Sequence, residues 1–185
     1  PDGVTKIPNN AFQSCTSTLI SVTIPESVTR IGSQAFHSCS SLTSVTLPAS
    51  VTEIEAEAFR GSGLQTFTLS AGSSLQSIGT RAFYQCTNLQ TFTFSAGSSL
   101  QTIGDQAFQD TALTSVTLPA SVLYIEGYAF YESSQLHTFT CPAGSSLQTI
   151  GAHAFRSTNL TSVILPASVS SIGTHAFYLT SNDLQ

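Results

Sequence analysis

Apolar positions along the chain fall into one repeated pattern, Ile-x-x-x-Ala-Phe, found in register from end to end. Its isoleucines are Ile7, Ile31, Ile54, Ile78, Ile103, Ile125, Ile150 and Ile172, and its phenylalanines are Phe12, Phe36, Phe59, Phe83, Phe108, Phe130, Phe155 and Phe177. Successive copies lie 22 to 25 residues apart, while Ile and Phe are always five apart. Between these anchors runs a second constant segment, Leu-x-x-Val/Phe-x-Leu, as in Leu42-Thr-Ser-Val45-Thr-Leu47 and Leu113-Thr-Ser-Val116-Thr-Leu118. Its tail alternates apolar and polar residues, the period of a half-buried strand, and it is rich in β-branched and aromatic types. A proline often closes it (Pro25, Pro48, Pro119, Pro166), and a residue with no N–H ends a ladder.

Length varies in two places only. One is the turn after the strand, either Pro-Ala-Ser-Val or the longer Ser-Ala-Gly-Ser-Ser-Leu, and the other lies between the Phe and the next Leu. Insertions confined to turns beside invariant anchors are what stacked coils tolerate, because a shared core cannot absorb them. The pattern predicts a mostly β repeat solenoid of about eight coils, with strands about 4.8 Å apart and a rod of about 35–40 Å. Its core is a set of ladders, with the eight Phe rings stacked along the rod. The constant Ala before each Phe predicts a short, tightly packed helical turn. Gly follows several of the isoleucines (Gly32, Gly79, Gly104), but Pro8, Glu55 and Glu126 take the same slot, which argues against a required positive φ there.

The units Leu-Thr-Ser-Val-Thr-Leu-Pro-Ala-Ser-Val-x-x-Ile-Gly-x-x-Ala-Phe-x-x-Cys resemble the BspA-like (Treponema-type) leucine-rich repeat over essentially the whole chain. The resemblance implies a curved solenoid with a concave parallel sheet and short 3₁₀ or irregular segments on the convex side. It also implies a secreted or surface-attached protein with an adhesive role and no catalytic residues to transfer. Residues 1–185 read as a single domain, a fragment of a longer chain. The chain opens at Pro1-Asp2-Gly3 without a signal peptide, as a processed or trimmed chain would, and Asn182-Asp183-Leu184-Gln185 resembles the entry to another strand. No polar cap is visible at either end, which predicts a longer natural chain or end-to-end self-association through uncapped coils.

Composition narrows the function. Charged residues are 8% of the chain, so Ser, Thr, Gln and Gly must supply the wet surface. A net charge of −5 with five basic residues argues against nucleic acid, and no apolar run is long enough for membrane insertion as a helix. No motif brings together a nucleophile, a base and a charge-stabilising group, and no cofactor is implied, so the chain reads as a binding surface rather than an enzyme. The candidate ligand face is a double file of outward hydroxyls: Ser44 and Thr46, Thr66 and Thr68, Thr91 and Thr93, Ser115 and Thr117, Thr138 and Thr140. Ser21 and Thr23 precede it, and Ser162 and Ile164 follow. The file suits a protein or glycan ligand on another cell or matrix. Two other readings are a spacer whose threonines merely suit exposed strands and an ice-binding array.

Other features admit blander accounts. Cys15, Cys39 and Cys86 each lie three residues after a repeat Phe, and Cys141 takes an inward Leu slot. Cys15 and Cys39 are equivalent in adjacent coils, within reach of a disulfide, but a buried thiol fits the pattern better. No C-x-x-C pair supports a metal. His153 and His175 share one repeat position, where five other residue types also occur, so that position reads as exposed surface. Arg30 with Glu53, and Glu57 with Arg81, align as ladder ion pairs. Tyr84, Tyr131 and Tyr178, with Tyr124 and Tyr128, read as rings packed over the outer side rather than as an interface.

Overall fold

The computed structural model describes residues 3–95 and 97–180. Among these the chain is a parallel β-solenoid of about seven turns with no helix. The closing tetrapeptide expected to enter a further strand lies outside the described residues.

Two files of strands run along the solenoid, and only one follows from the strand-like alternation in the sequence. The strands β3 (Ser44–Leu47), β5 (Thr66–Leu69), β7 (Thr91–Thr93), β9 (Ser115–Thr117) and β11 (Thr138–Thr140) occupy the predicted Leu-x-x-Val/Phe-x-Leu segment. The other file consists of dyads ending in the repeat Ile: β1 (Lys6–Ile7), β2 (Arg30–Ile31), β4 (Glu53–Ile54), β6 (Ser77–Ile78), β8 (Thr102–Ile103), β10 (Tyr124–Ile125), β12 (Thr149–Ile150) and β13 (Ser171–Ile172). These dyads form one continuous eight-stranded sheet in which Ile pairs with Ile at every step. The predicted file is broken into a three-stranded sheet, β3-β5-β7, and a two-stranded one, β9-β11. A two-residue strand carries too little alternation to show in a sequence.

Between the two files lies the core. Successive repeat Phe rings stack nearly parallel with centroids 5.1 to 5.3 Å apart, from Phe12 through to Phe177. The strand residues Phe67, Phe92 and Phe139 meet this column edge-on, each touching two of its rings. Offset-stacked and edge-to-face pairs each contribute about 0.5–1.5 kcal/mol beyond the area they bury. The six Phe rings between the first and last of the column are fully buried, whereas Phe12 and Phe177 are half-buried.

On the far side the chain makes successive turns, realising the irregular convex segments expected. Each Ala is fully buried or nearly so from Ala35 to Ala176, and in six of these seven the N–H bonds to the carbonyl three residues earlier, as Ala35 does to Gly32 at 3.2 Å. This closes a turn rather than the short helical turn anticipated, because the residues on either side donate across to the neighbouring coil. Thus Gln34 N–H reaches the Ala56 carbonyl at 3.1 Å and Phe36 N–H the Ala58 carbonyl at 2.7 Å. The residue three after each Ile is left-handed, from Asn10 (φ 59°) to His175 (φ 57°), as is the residue two after each Phe. Backbone pairing sets this conformation, so residue type varies freely there. That position is half-buried in six coils and exposed only at Asn10 and His175, a correction to its reading as exposed surface. The Gly after the Ile does lie outside the positive-φ set, and its lack of a side chain serves close stacking: a Cβ on Gly32 would sit 2.6 Å from the Ile7 carbonyl oxygen.

The cysteine column is a capping ladder. Cys39 Sγ donates to the Phe12 carbonyl at 2.9 Å and Cys86 Sγ to the Phe59 carbonyl at 3.0 Å, in each case the repeat Phe of the preceding coil. Ser133 at the equivalent position does the same to Phe108 at 2.8 Å. All four cysteines are free, and burial pushes the thiols of Cys39 and Cys86 up to about 11.

Candidate recognition surface

Alternation along the strands turns Val, Phe and Leu inward and Ser and Thr outward. Of the ten candidate hydroxyl residues, nine are exposed and Thr68 is half-buried. Ser44 pairs with Thr66 and Thr66 with Thr91, and Thr46, Thr68 and Thr93 align in the second rank. Ser115 pairs with Thr138, and Thr117 with Thr140. The structure thus brings the ten together as two patches, one on each small sheet. No Asp, Glu, Lys or Arg occurs in any of these five strands.

Several hydroxyls elsewhere on the molecule hold coils together. Thr29 and Thr52 Oγ1 each donate to the preceding coil's carbonyl at 3.0 and 3.1 Å, and Ser50 Oγ to Val28 at 2.7 Å. Among the described residues, none of the ten face hydroxyls makes an intramolecular hydrogen bond. Their bonding capacity, one donor and two acceptor sites each, is left to whatever lies above them.

The face is not one plane. β7 and β9 do not pair, and the first and last coils join it only through single bridges, Ser21 to Ser44 and Phe139 to Val163. A cleft lies at each interruption: about 510 Å³ between β7 and β9, about 280 Å³ beside Ser21 and Thr23, and about 240 Å³ between β11 and Thr161–Ile164. Two of the gaps fall where coil length drops from 25 to 22 residues, at Ile78–Ile103–Ile125 and at Ile125–Ile150–Ile172. Phe94 sits beside the larger gap. It occupies an inward slot held by Leu47, Leu69 and Leu118 in other coils, but it is only half-buried and tilts against Phe92 at 4.6 Å. Sequence reasoning passed over this residue, although an aromatic in a column of leucines marks a slot it cannot fill.

Charge is gathered on the other sides. Arg30 pairs with Glu53 at 2.6 Å as expected, whereas Glu57 pairs with Arg60 at 3.2 Å rather than Arg81, whose Nε bonds Gln106 at 2.7 Å. Glu55 accepts Lys6 at 2.7 Å and the Ser33 N–H at 3.0 Å. Burial opposes its ionisation, yet these hydrogen bonds and the charges of Lys6 and Arg30 hold its carboxyl below the ordinary value. Tyr84 lies under Arg60 and Arg81, and Arg156 spans Tyr131 and Tyr178. Tyr128, His153 and His175 stack in line, with centroids 4.7 and 5.2 Å apart. Desolvation within that stack, then the charges of Arg156 and His175, lower the His153 pKa. Tyr124 stands apart, on the Ile sheet. Among the described residues no group of three or more His, Cys, Asp or Glu is placed to hold a metal ion, and no helix is long and apolar enough to cross a membrane.

A stacked coil with a Phe column, an Ile sheet and an outward Ser/Thr file is the architecture of a leucine-rich repeat. The family model described as the BspA type leucine rich repeat region matches residues 5–97 and 69–183, and the chain belongs to this family. Among solved structures it is similar to a leucine-rich repeat protein from Bacteroides ovatus, at 29% identity and TM-score 0.83, covering 100% of this chain and 46% of that one. It is similar to the Treponema pallidum leucine rich repeat protein, at 30% identity and TM-score 0.71, covering 85% and 72%. A leucine rich cell surface protein from Faecalibacterium prausnitzii matches at 29% identity and TM-score 0.53, covering 94% and 62%. The chain therefore spans about half the length of the Bacteroides ovatus protein. None of the curated proteins compared with it matches.

Proposed function

We propose that this chain is a non-catalytic, surface-exposed or secreted recognition module that binds a protein or glycan on another cell or matrix through its Ser/Thr face. The observation that carries the reading is the contrast in hydroxyl use. Several Ser and Thr beside the Ile sheet, such as Thr29, Ser50 and Thr52, are committed to the preceding coil, whereas none of the ten on the uncharged face makes an intramolecular hydrogen bond and nine of them are exposed. A surface-attached setting is supported by the likeness to a protein described as a cell surface protein. The interruptions weigh against ice binding, which calls for one unbroken periodic array.

The test is solid-phase binding to a panel of matrix proteins and glycans, alongside a variant carrying Thr46→Lys, Thr68→Lys, Thr93→Lys and Thr117→Lys whose fold is checked by circular dichroism. Saturable binding lost in the variant supports recognition on this face. Binding that survives moves the site to loops or edges, and no binding leaves the chain a spacer.

A further inference from the structure

The cleft between β7 and β9 differs from the rest of the face in one respect. Ser95 lines it, is only 8% exposed, and its Oγ has no hydrogen-bond partner. Leaving a buried hydroxyl unsatisfied costs about 1–3 kcal/mol, so such a group marks a place where a partner belongs. A serine needs only a χ1 rotation between staggered wells to reach one.

The chemistry around it is specific. The lining just past the ends of the two strands is apolar, with the half-buried Phe94, Leu118, Pro119 and Pro142, and the strands themselves contribute the hydroxyls of Thr91, Thr93, Ser115 and Thr117. No charged side chain lines the cleft, so an ionic ligand would lose hydration with nothing to replace it. The gap admits no added strand. The Ile sheet runs unbroken through β6, β8 and β10 behind it, and Phe92 remains packed 5.0 Å from Phe108 in the core beneath it. A volume of about 510 Å³ lies within the range of small-ligand pockets.

We propose that this cleft binds the end of a neutral saccharide, of one or two rings. A pyranose offers an apolar C–H face for Phe94 and the prolines, and hydroxyls that both donate and accept for the threonines and Ser95. An apolar peptide side chain would fill the same wall but leave Ser95 unpaired. The proposal rests on the Ser/Thr face being a recognition surface and names the ligand class for one part of it.

The test titrates the isotope-labelled protein with lactose, maltose and diacetylchitobiose, and separately with a capped, uncharged proline–phenylalanine peptide, reading amide shifts by NMR. At least one sugar should shift the amides of Thr91–Phe94 and Ser115–Leu118. Ser95→Ala should weaken it about five- to tenfold, the equivalent of one hydrogen bond. Thr117→Val, on the exposed rim, gives a second reading should Ser95→Ala fail to fold, and Thr80→Lys on the opposite side should leave affinity unchanged. No sugar shifting these amides, binding by the peptide alone, or full affinity in both hydroxyl variants would overturn the proposal. Sugar binding without any macromolecular ligand on the panel keeps the cleft and removes the adhesive role. Macromolecular binding lost in the four-lysine variant, with no sugar effect at the cleft, does the reverse.

Discussion

The Ile sheet and the Ser/Thr sheets are built from the same coils, yet one runs unbroken through eight strands and the other divides after β7. The Ile dyad sits immediately before a stretch of invariant length, five residues from Ile to Phe, so every copy stacks in the same place. The Ser/Thr strand lies between the two segments whose length varies, and it inherits their mismatch. The lesson is a division of labour. Coil registry is held by the Phe column, the Ile sheet and the hydroxyls around it, which leaves the opposite face free to vary and to open clefts.

That division can be attacked at its strongest point first. Truncating a central ring, Phe83→Ala or Phe108→Ala, removes stacking on both neighbours and should cost about 3–5 kcal/mol in urea unfolding. Next is the capping ladder. Ser133→Ala removes one of the two hydroxyl donors to the buried Phe108 carbonyl and the acceptor of the Thr111 N–H, and should cost about 1–2 kcal/mol by the same measurement.

Acid sharpens the comparison from the charged side. The folded pKa values of Glu55 and Glu57 lie below their ordinary 4.5, so their contribution is complete above that value and is lost as pH falls through the depressed ones. Thermal melts should show stability dropping in that acidic window, and Glu55→Gln should flatten the drop. His153 adds a smaller loss earlier, as pH falls below 6.5, because its folded form resists protonation. Phe94→Leu, which restores the leucine column, should change stability by less than about 1 kcal/mol, since a half-buried ring gives up little on truncation. It should nevertheless slow hydrogen exchange at the Ser115–Thr117 amides, as β9 gains the neighbour it lacks.

Much of this was legible in the sequence. Eight copies of Ile-x-x-x-Ala-Phe announced the coils, and the alternation in Leu-x-x-Val/Phe-x-Leu put the ten hydroxyls on the outward side, where nine are exposed. The Ile sheet was hidden because a dyad has no period to detect. The left-handed residues were hidden because backbone pairing to the next coil, not side-chain type, imposes them, so Asn10, Glu57, Arg81 and Tyr128 share one conformation. The Glu57 ion pair was misjudged because Arg60, three residues along the same coil, lies nearer than Arg81 one coil away. The cleft left two faint traces, Phe94 among leucines and the drop in coil length, and neither means much until the coils are stacked.

The most direct test compares matched sets of three lysines on opposite sides, Thr46→Lys, Thr93→Lys, Thr117→Lys against Ala56→Lys, Thr80→Lys, Thr174→Lys, all at exposed positions. Both variants are measured for unfolding free energy and for binding to whichever panel member the parent protein captures. Each substitution should shift stability by no more than about 0.5 kcal/mol, and binding should disappear in the first variant alone. Binding lost equally in both, or only in the second, would contradict a recognition role for the Ser/Thr face.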